Sequence, residues 1–275
     1  MQSPGIALGR KRVLSRCTPK MSGLTRVEVT FVMFVATLVI PSVLGMPVGW
    51  RDAHITYYGS PNGGGTQGGA CAYQNTFSLG YGAMTAALSS PLFEGGAACG
   101  ACYQLQCKRV QETRTVKNWC WSYSRTITIT ATNLCPPGSA GAWCDPPRHH
   151  FDLTMPAFLT LARREGGVAP VLYRRVKCVK RGGIRFTIGG NPWFLMILIH
   201  NVAGAGDVRA VRIKTPSTDW IPMYRNWGAL WTVQRKLSGP LSFQITAGDR
   251  RQITINSAVG NAWKFGQTWE GHNFR

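Results

Sequence analysis

A chain of 275 residues with 44% hydrophobic content is long enough for one large or two ordinary domains with real cores. Its 31 Lys+Arg against 11 Asp+Glu give a formal net charge of +20, which favours polyanionic partners: nucleic acid, anionic lipid or acidic polysaccharide. The basic residues are scattered in short runs such as Arg174-Arg175, without zinc-finger spacing, a basic-zipper repeat or an RNA-recognition signature, so nucleic acid is set aside.

The chain opens with Lys11, Arg12, Arg16, Lys20 and Arg26, then the apolar run VTFVMFVATLVIPSVLG at 29–45. Small residues end that run, and the pattern reads as a secretory signal cleaved near Gly45-Met46. A membrane anchor competes, because residues 29–50 carry no charge, but Pro41, Gly45 and Pro47 interrupt the span. The basic stretch is long for a signal, and Met21 is an alternative start. Removing 1–45 takes away six Lys/Arg and one Glu, so the mature chain keeps 25 against 10, a net +15.

Nine cysteines are present, eight of them between Cys71 and Cys178. This implies an oxidising compartment and four disulfides, with Cys17 leaving alongside the leader. The Cys99-Gly100-Ala101-Cys102 pair has the spacing of a redox or zinc motif, but no second pair completes it.

Residues 50–178 read as a first domain of short strands and many turns, suited to a small β-barrel. The 59–69 segment holds six glycines and forms a loop that a ligand can approach closely; no Gly-Lys-Ser/Thr follows, so it is not a phosphate loop. Residues 125–132 alternate threonine with aliphatics and predict a strand, as do 169–176. The 156–164 run is the one good helix candidate. Between these strands, 143–153 packs a cysteine, two prolines, two histidines and two carboxylates into eleven residues. Asp152 lies between Phe151 and Leu153, a setting that keeps a carboxyl protonated to higher pH. The alternative is a capping Asp before a helix. Asp145, in a Cys-Asp-Pro-Pro turn, reads as structural. His149 and His150 are weak metal candidates, since adjacent side chains diverge on most backbones.

Several short motifs now stand in order: Thr56-Tyr57-Tyr58-Gly59, Gly68-Gly69-Ala70-Cys71, Cys99-Gly100-Ala101-Cys102-Tyr103, Thr130 to Pro137, His150-Phe151-Asp152, and Tyr173-Arg174-Arg175-Val176. The ordered set resembles plant expansins, and the eight cysteines resemble the α-type, over about residues 50–275. The resemblance implies an all-β chain: a six-stranded double-psi β-barrel, similar to family-45 endoglucanases, followed by an immunoglobulin-like β-sandwich. It implies the pairs Cys71–Cys99, Cys102–Cys178 and Cys107–Cys120, leaving Cys135–Cys144. It places Thr56 and Tyr58 in a glucan groove with Asp152 as acid or hydrogen-bond donor.

Glycoside hydrolysis normally needs a second carboxylate. The resembling endoglucanases carry a base Asp two residues after their Thr-x-Tyr motif, where this chain has Gly59-Ser60. The Asp that β-expansins place after the Thr-Ile-Thr strand is Ala131 here, and Asn62 stands where many α-expansins have Asp. The expectation is therefore non-hydrolytic, pH-dependent loosening of cell walls with no cofactor and no metal. The alternatives are an endoglucanase with an unrecognised base, or a protein that only binds wall carbohydrate. Two further departures are a long 108–124 stretch and a short 136–143 stretch, both expected as loops beside the groove.

Residues 177–183 mark a boundary, and 182–275 alternate as a second, all-β domain. Strands are predicted at 184–188, 194–199, 208–214, 241–246 and 252–256. Six tryptophans follow residue 190, more than one sandwich core needs, and the surplus rings suit sugar faces. The resemblance points to Trp193, Phe194, Trp227 and Trp231 as polysaccharide-stacking residues, with Trp263 and Trp269 as core and Trp220 undecided. Arg225 and Arg235 are candidate contacts to acidic wall polymers. The expected setting is extracellular, in the cell wall. The expected partners are cellulose and matrix polysaccharides such as xyloglucan, with pectin a further candidate; the chain is expected as a monomer.

Overall fold

In this computed structural model, residues 49–275 apart from 115, 116 and 139 are described. The signal-peptide reading, the Met21 start and Cys17 lie outside the described residues. Among those described, no helix is long and apolar enough to cross a membrane.

Six strands close a barrel in the order β1 (Arg51–Tyr58), β5 (His150–Thr154), β2 (Thr85–Ser89), β4 (Thr126–Cys135), β3 (Cys102–Cys107) and β6 (Ala169–Val176). The β1–β5 and β2–β4 pairs are parallel and the others antiparallel, the arrangement of a double-psi barrel. Alternation dictates the core. Ile55, Leu88, Leu105, Ile129, Phe151 and Leu153 point inward and are fully buried, each worth roughly 1.5–3 kcal/mol. A single-turn helix α1 (Ser90–Phe93) follows β2; Asp152 sits mid-strand in β5, not at a helix cap, and that position falls to Thr154, ahead of α2 (Met155–Leu161).

The helix is shorter than the 156–164 pattern suggests, and the reason lies in the 108–124 segment. That segment folds back on the end of α2: Trp121 N–H donates to the Leu161 carbonyl, Arg163 N–H to the Trp119 carbonyl, and Cys120 bridges Ala162. Ala162 is drawn into extended conformation and the helix stops.

Four disulfides join Cys71–Cys99, Cys102–Cys178, Cys107–Cys120 and Cys135–Cys144. All lie in or beside the barrel, where glycine-rich loops supply little apolar surface. Native bridges of this kind typically contribute about 2–4 kcal/mol each.

The second half is a sandwich made from one continuous sheet, ordered β13 (Gln252–Val259), β12 (Leu241–Ala247), β9 (Val208–Lys214), β10 (Ile221–Trp227), β11 (Leu230–Val233), β8 (Phe194–His200), β7 (Arg185–Asn191) and β14 (Thr268–Glu270). Strand β10 is the corner. Its first half, Ile221 to Met223, pairs with β9, and its second half, from Tyr224, pairs with β11. The sheet thereby folds over itself, and Phe186 of β7 stacks on Phe243 of β12 at 4.4 Å in the resulting core.

Barrel and sandwich meet along a close seam. Gly228, at φ +53°, lies against Ala70 and Cys71; a Cβ there would come within 2.5 Å of the Ala70 carbonyl. Ala229 N–H donates to the Cys71 carbonyl at 3.1 Å. Arg175 of β6 pairs with Asp207 at 2.7 Å, both side chains largely buried. The 177–183 connection is pinned as well, since Cys178 exchanges backbone hydrogen bonds with Gly204 while disulfide-bonded to β3.

Candidate functional site

On β1, Ala53 and Ile55 face the core, so His54, Thr56 and Tyr58 project from the barrel's outer surface. The parallel neighbour β5 brings His150, Asp152 and Thr154 into register with them. Thr56 is the centre of this constellation. Its hydroxyl donates to Asp152 Oδ1 at 2.7 Å and lies 2.8 Å from His150 Nε2. A hydroxyl that gives its proton to Asp152 accepts from His150, which sets the imidazole as the Nε2–H tautomer.

Burial pushes the Asp152 carboxyl above the usual aspartate range, and the Thr56 hydrogen bond pulls it partly back. No acidic neighbour contributes. His150 is lowered to about 4 by burial, with His54 and Arg148 adding repulsion, so it is neutral near pH 7. Tyr58, also desolvated, is raised to about 12; its hydroxyl faces the Asn133 amide and has no well-formed protein hydrogen bond. The ring of Tyr58 packs on the Cys135–Cys144 bridge, which fixes it at the groove edge.

The groove has further walls that the motifs did not announce. Trp143 lies against His54 with centroids 4.7 Å apart, and the Arg148 guanidinium lies over the Trp143 ring, 5.3 Å from its centre. Asn133 accepts from Ala70 N–H at 2.7 Å, tying the groove floor to the glycine-rich loop and, through Ala70, to the seam. Its signal in the sequence was the residue pattern Thr-Ala-Thr-Asn-Leu-Cys, read there only as resemblance.

Several other acids are committed elsewhere. Asp145 receives Gly138 N–H at 2.6 Å in its own turn, Asp52 pairs with Lys108, and Asp207, Asp249 and Glu270 pair with arginines. Asn62 accepts from Ser60 and from Gly64 N–H, shaping the glycine-rich turn. His149 bonds Tyr173 while His150 bonds Thr56, so the adjacent histidines serve different partners. Among the described residues no group of three or more His, Cys, Asp or Glu is placed to hold a metal.

The outer face of the sandwich sheet carries the aromatic residues. Trp193, in the turn of the β7–β8 hairpin, is 70% exposed and Trp227 48%; Phe194 is half-buried. Strand register sets Trp227, Leu230 and Leu198 in one row and Tyr224, Thr232 and Met196 in the next, with Phe194 further along β8. Trp231 is different. It is 3% exposed, faces the core opposite Ile197, and has the Arg225 guanidinium over its ring at 4.5 Å, so it offers no stacking surface. Tyr224, 70% exposed on the same face as Trp227, takes that place. Alternation along β10 identifies it only once Met223 is known to point inward. Arg225 is likewise not free: its guanidinium donates to the carbonyls of Gly228 and Val208 and, across the seam, to that of Gly96.

Two family models match, a lytic transglycolase model over residues 85–173 and the expansin C-terminal domain over residues 184–259. The chain is 47% identical over 231 residues to Expansin-A25 of Arabidopsis thaliana, covering 82% of this chain and 81% of that one. The chain belongs to the expansin family. Expansin-A32 of Oryza sativa subsp. japonica is 45% identical over 228 residues, covering 80% and 82% of the two chains. Among solved structures, the apo expansin of Clavibacter michiganensis superposes with a TM-score of 0.63 at 19% identity, covering 82% of this chain and 98% of that one. A mutant of the same bacterial expansin, solved in complex with cellohexaose, gives 0.61, also at 19% identity. Both place the barrel and sandwich in the expansin fold.

Proposed function

We propose that this expansin is secreted to the plant cell wall and loosens it without hydrolysis, by binding a glucan in the groove and disrupting the noncovalent contacts between cellulose microfibrils and matrix glucans. The observation that carries the reading is Asp152: a desolvated carboxyl, hydrogen-bonded by Thr56, on whose proton affinity no other described acid acts. A protonated carboxyl can donate to a sugar oxygen. Hydrolysis also needs a base to activate water on the opposite face, and inverting enzymes set the two carboxyls about 6.5–9.5 Å apart. Among the described residues no second carboxyl acts on Asp152, which supports the reading.

Tyr58 and Asn133 supply further hydroxyl and amide groups to the same chain, and Trp143 an apolar edge. Asn133 bonds Ala70, and Ala70 lies against Gly228, the residue after Trp227, so contacts link the groove to the strand that carries the aromatic face. Tyr224, Trp227 and Trp193 would lie flat on cellulose, as exposed rings do on the apolar faces of sugars. The bacterial relative solved with cellohexaose supports a β-glucan as ligand. Because burial raises Asp152, the donor form persists to higher pH than in free aspartate and is lost as pH rises through its folded value. Loosening should therefore be favoured by acid.

The test is a creep assay on heat-inactivated wall strips, run beside reducing-end release from soluble β-glucan. Extension with no new reducing ends, lost in Asp152→Asn while cellulose binding is kept, supports the proposal. Reducing ends released in proportion to extension would make the protein an endoglucanase. Binding without extension by the native protein would make it a wall-binding protein only.

A further inference from the structure

On the side of the barrel formed by the first half of β4, the sequence's basic run encloses a cleft of about 640 Å³. Four cationic side chains line it, Lys177, Lys180, Arg181 and Arg185, with Thr128, Thr130 and Tyr81, and no acid is among its lining residues. Arg185 has its own carboxylate, Glu270, at 2.9 Å. Lys180 has none. Its ammonium is half-buried, 3.4 Å from Thr130 Oγ1 and 4.4 Å from the Tyr81 ring centre. Burial lowers it to about 8. A desolvated cation with no counter-charge among the described residues is costly to keep, and a bound anion would supply that charge.

The cleft continues onto a polar strip. Thr126, Thr128 and Thr130 project outward along β4, while Gln104 of β3 lies between Thr128 and Arg174 of β6 in one row across the sheet. Gln104 bonds both Thr126 and Arg174. Hydroxyls, an amide and a guanidinium follow one another from the ammonium without a carboxylate between them. A single small anion would need only Lys180. The extended strip fits a chain that carries sugar hydroxyls and a carboxylate on each ring.

We infer that this cleft, centred on Lys180 and continued by Thr128, Gln104 and Arg174, is a binding site for an acidic polysaccharide made of uronic acid residues. It is separate from the Asp152 groove, which uses the other end of β4, and from the aromatic face of the sandwich. The protein can thus hold an acidic matrix chain while its groove and aromatic face engage a neutral glucan. Arg225, the arginine that the sequence alone put forward for such a partner, is occupied by seam carbonyls.

The experiment is isothermal titration of the secreted chain with a short oligogalacturonate, its methyl-esterified form and inorganic sulfate. The acid form is expected to bind with an affinity that falls with salt, and the uncharged ester about tenfold or more weakly. Lys180→Gln should cost about tenfold. Lys177→Gln with Arg181→Gln, on the exposed rim, should cost less and flatten the salt dependence. Trp227→Ala should leave uronate binding intact, and Lys180→Gln should leave cellulose binding intact, which separates this site from the glucan reading. A bound carboxylate raises the proton affinity of Lys180, faced here by Lys177, Arg181, Arg185 and the Tyr81 ring. Near pH 8 native binding should therefore take up protons, seen as heats that vary with the buffer, and Lys180→Gln should abolish that uptake. Native-like melting of Lys180→Gln with unchanged uronate affinity would overturn the inference. So would equal binding of the ester, displacement by equimolar sulfate, or an equal loss from Arg235→Gln, an exposed arginine of the sandwich, which would indicate diffuse attraction.

Discussion

Replacing Thr56 by valine keeps the side-chain shape and removes the hydroxyl that donates to Asp152 and receives His150. A hydrogen bond to a charged acceptor is worth roughly 1.5–3 kcal/mol, and 1.36 kcal/mol corresponds to one pH unit. The native bond favours ionised Asp152, so its loss should raise the pH at which Asp152 gives up its proton by about one to two units. Desolvation, the larger influence, remains and acts in the same direction. The His150 Nε2–H is left without its acceptor, at a further cost to stability of roughly 1–3 kcal/mol. A carboxyl-carbon NMR titration of native and Thr56→Val protein reads the first effect directly, and thermal melting reads the second. The pH limit of wall extension should move upward with the titration. A midpoint that stays in place or moves down would refute the Thr56-centred account of the groove, as would activity whose pH limit ignores the shift.

Asp152→Asn should raise the melting temperature at neutral pH, because the ionised carboxylate is penalised by burial whereas asparagine can still accept from Thr56. The folded value lies above the unfolded one, so the penalty is absent below the unfolded value and develops as pH rises through the folded one. The gain should thus vanish near about pH 3, and a gain constant with pH would contradict it. Trp227→Ala and Tyr224→Ala should each weaken cellulose binding about two- to tenfold without loss of folding, from stacking worth roughly 0.5–1.5 kcal/mol per ring. Trp231→Ala should instead cost about 3–5 kcal/mol of stability in chemical denaturation; a stable variant with weak binding would reverse that assignment. Arg225→Met strands three carbonyls at the seam and should lower the melting point by roughly 6–12 °C for about 3 kcal/mol, and a change under about 2 °C would count against its role.

What the sequence made legible was whatever obeys local rules. The two alternating strands at 125–132 and 169–176 appear as β4 and β6, and the apolar run at 194–199 as β8, apolar on both sides because its outer residues Phe194, Met196 and Leu198 belong to the aromatic face. Asp152 was visible through its apolar brackets. What escaped needed long-range register. No local feature distinguishes Trp231 from Trp227; only the β10 corner and its bulge turn one inward and the other out. His54 and Trp143, 89 positions apart, meet because β1 and β5 run parallel. The end of α2 depended on an insertion forty residues upstream.

The Gly228–Cys71 contact leaves no room for a side chain between the two halves. If the proposed reading holds, so close a seam would couple the aromatic face to the Asp152 groove, and whatever displaces one half would carry the other with it.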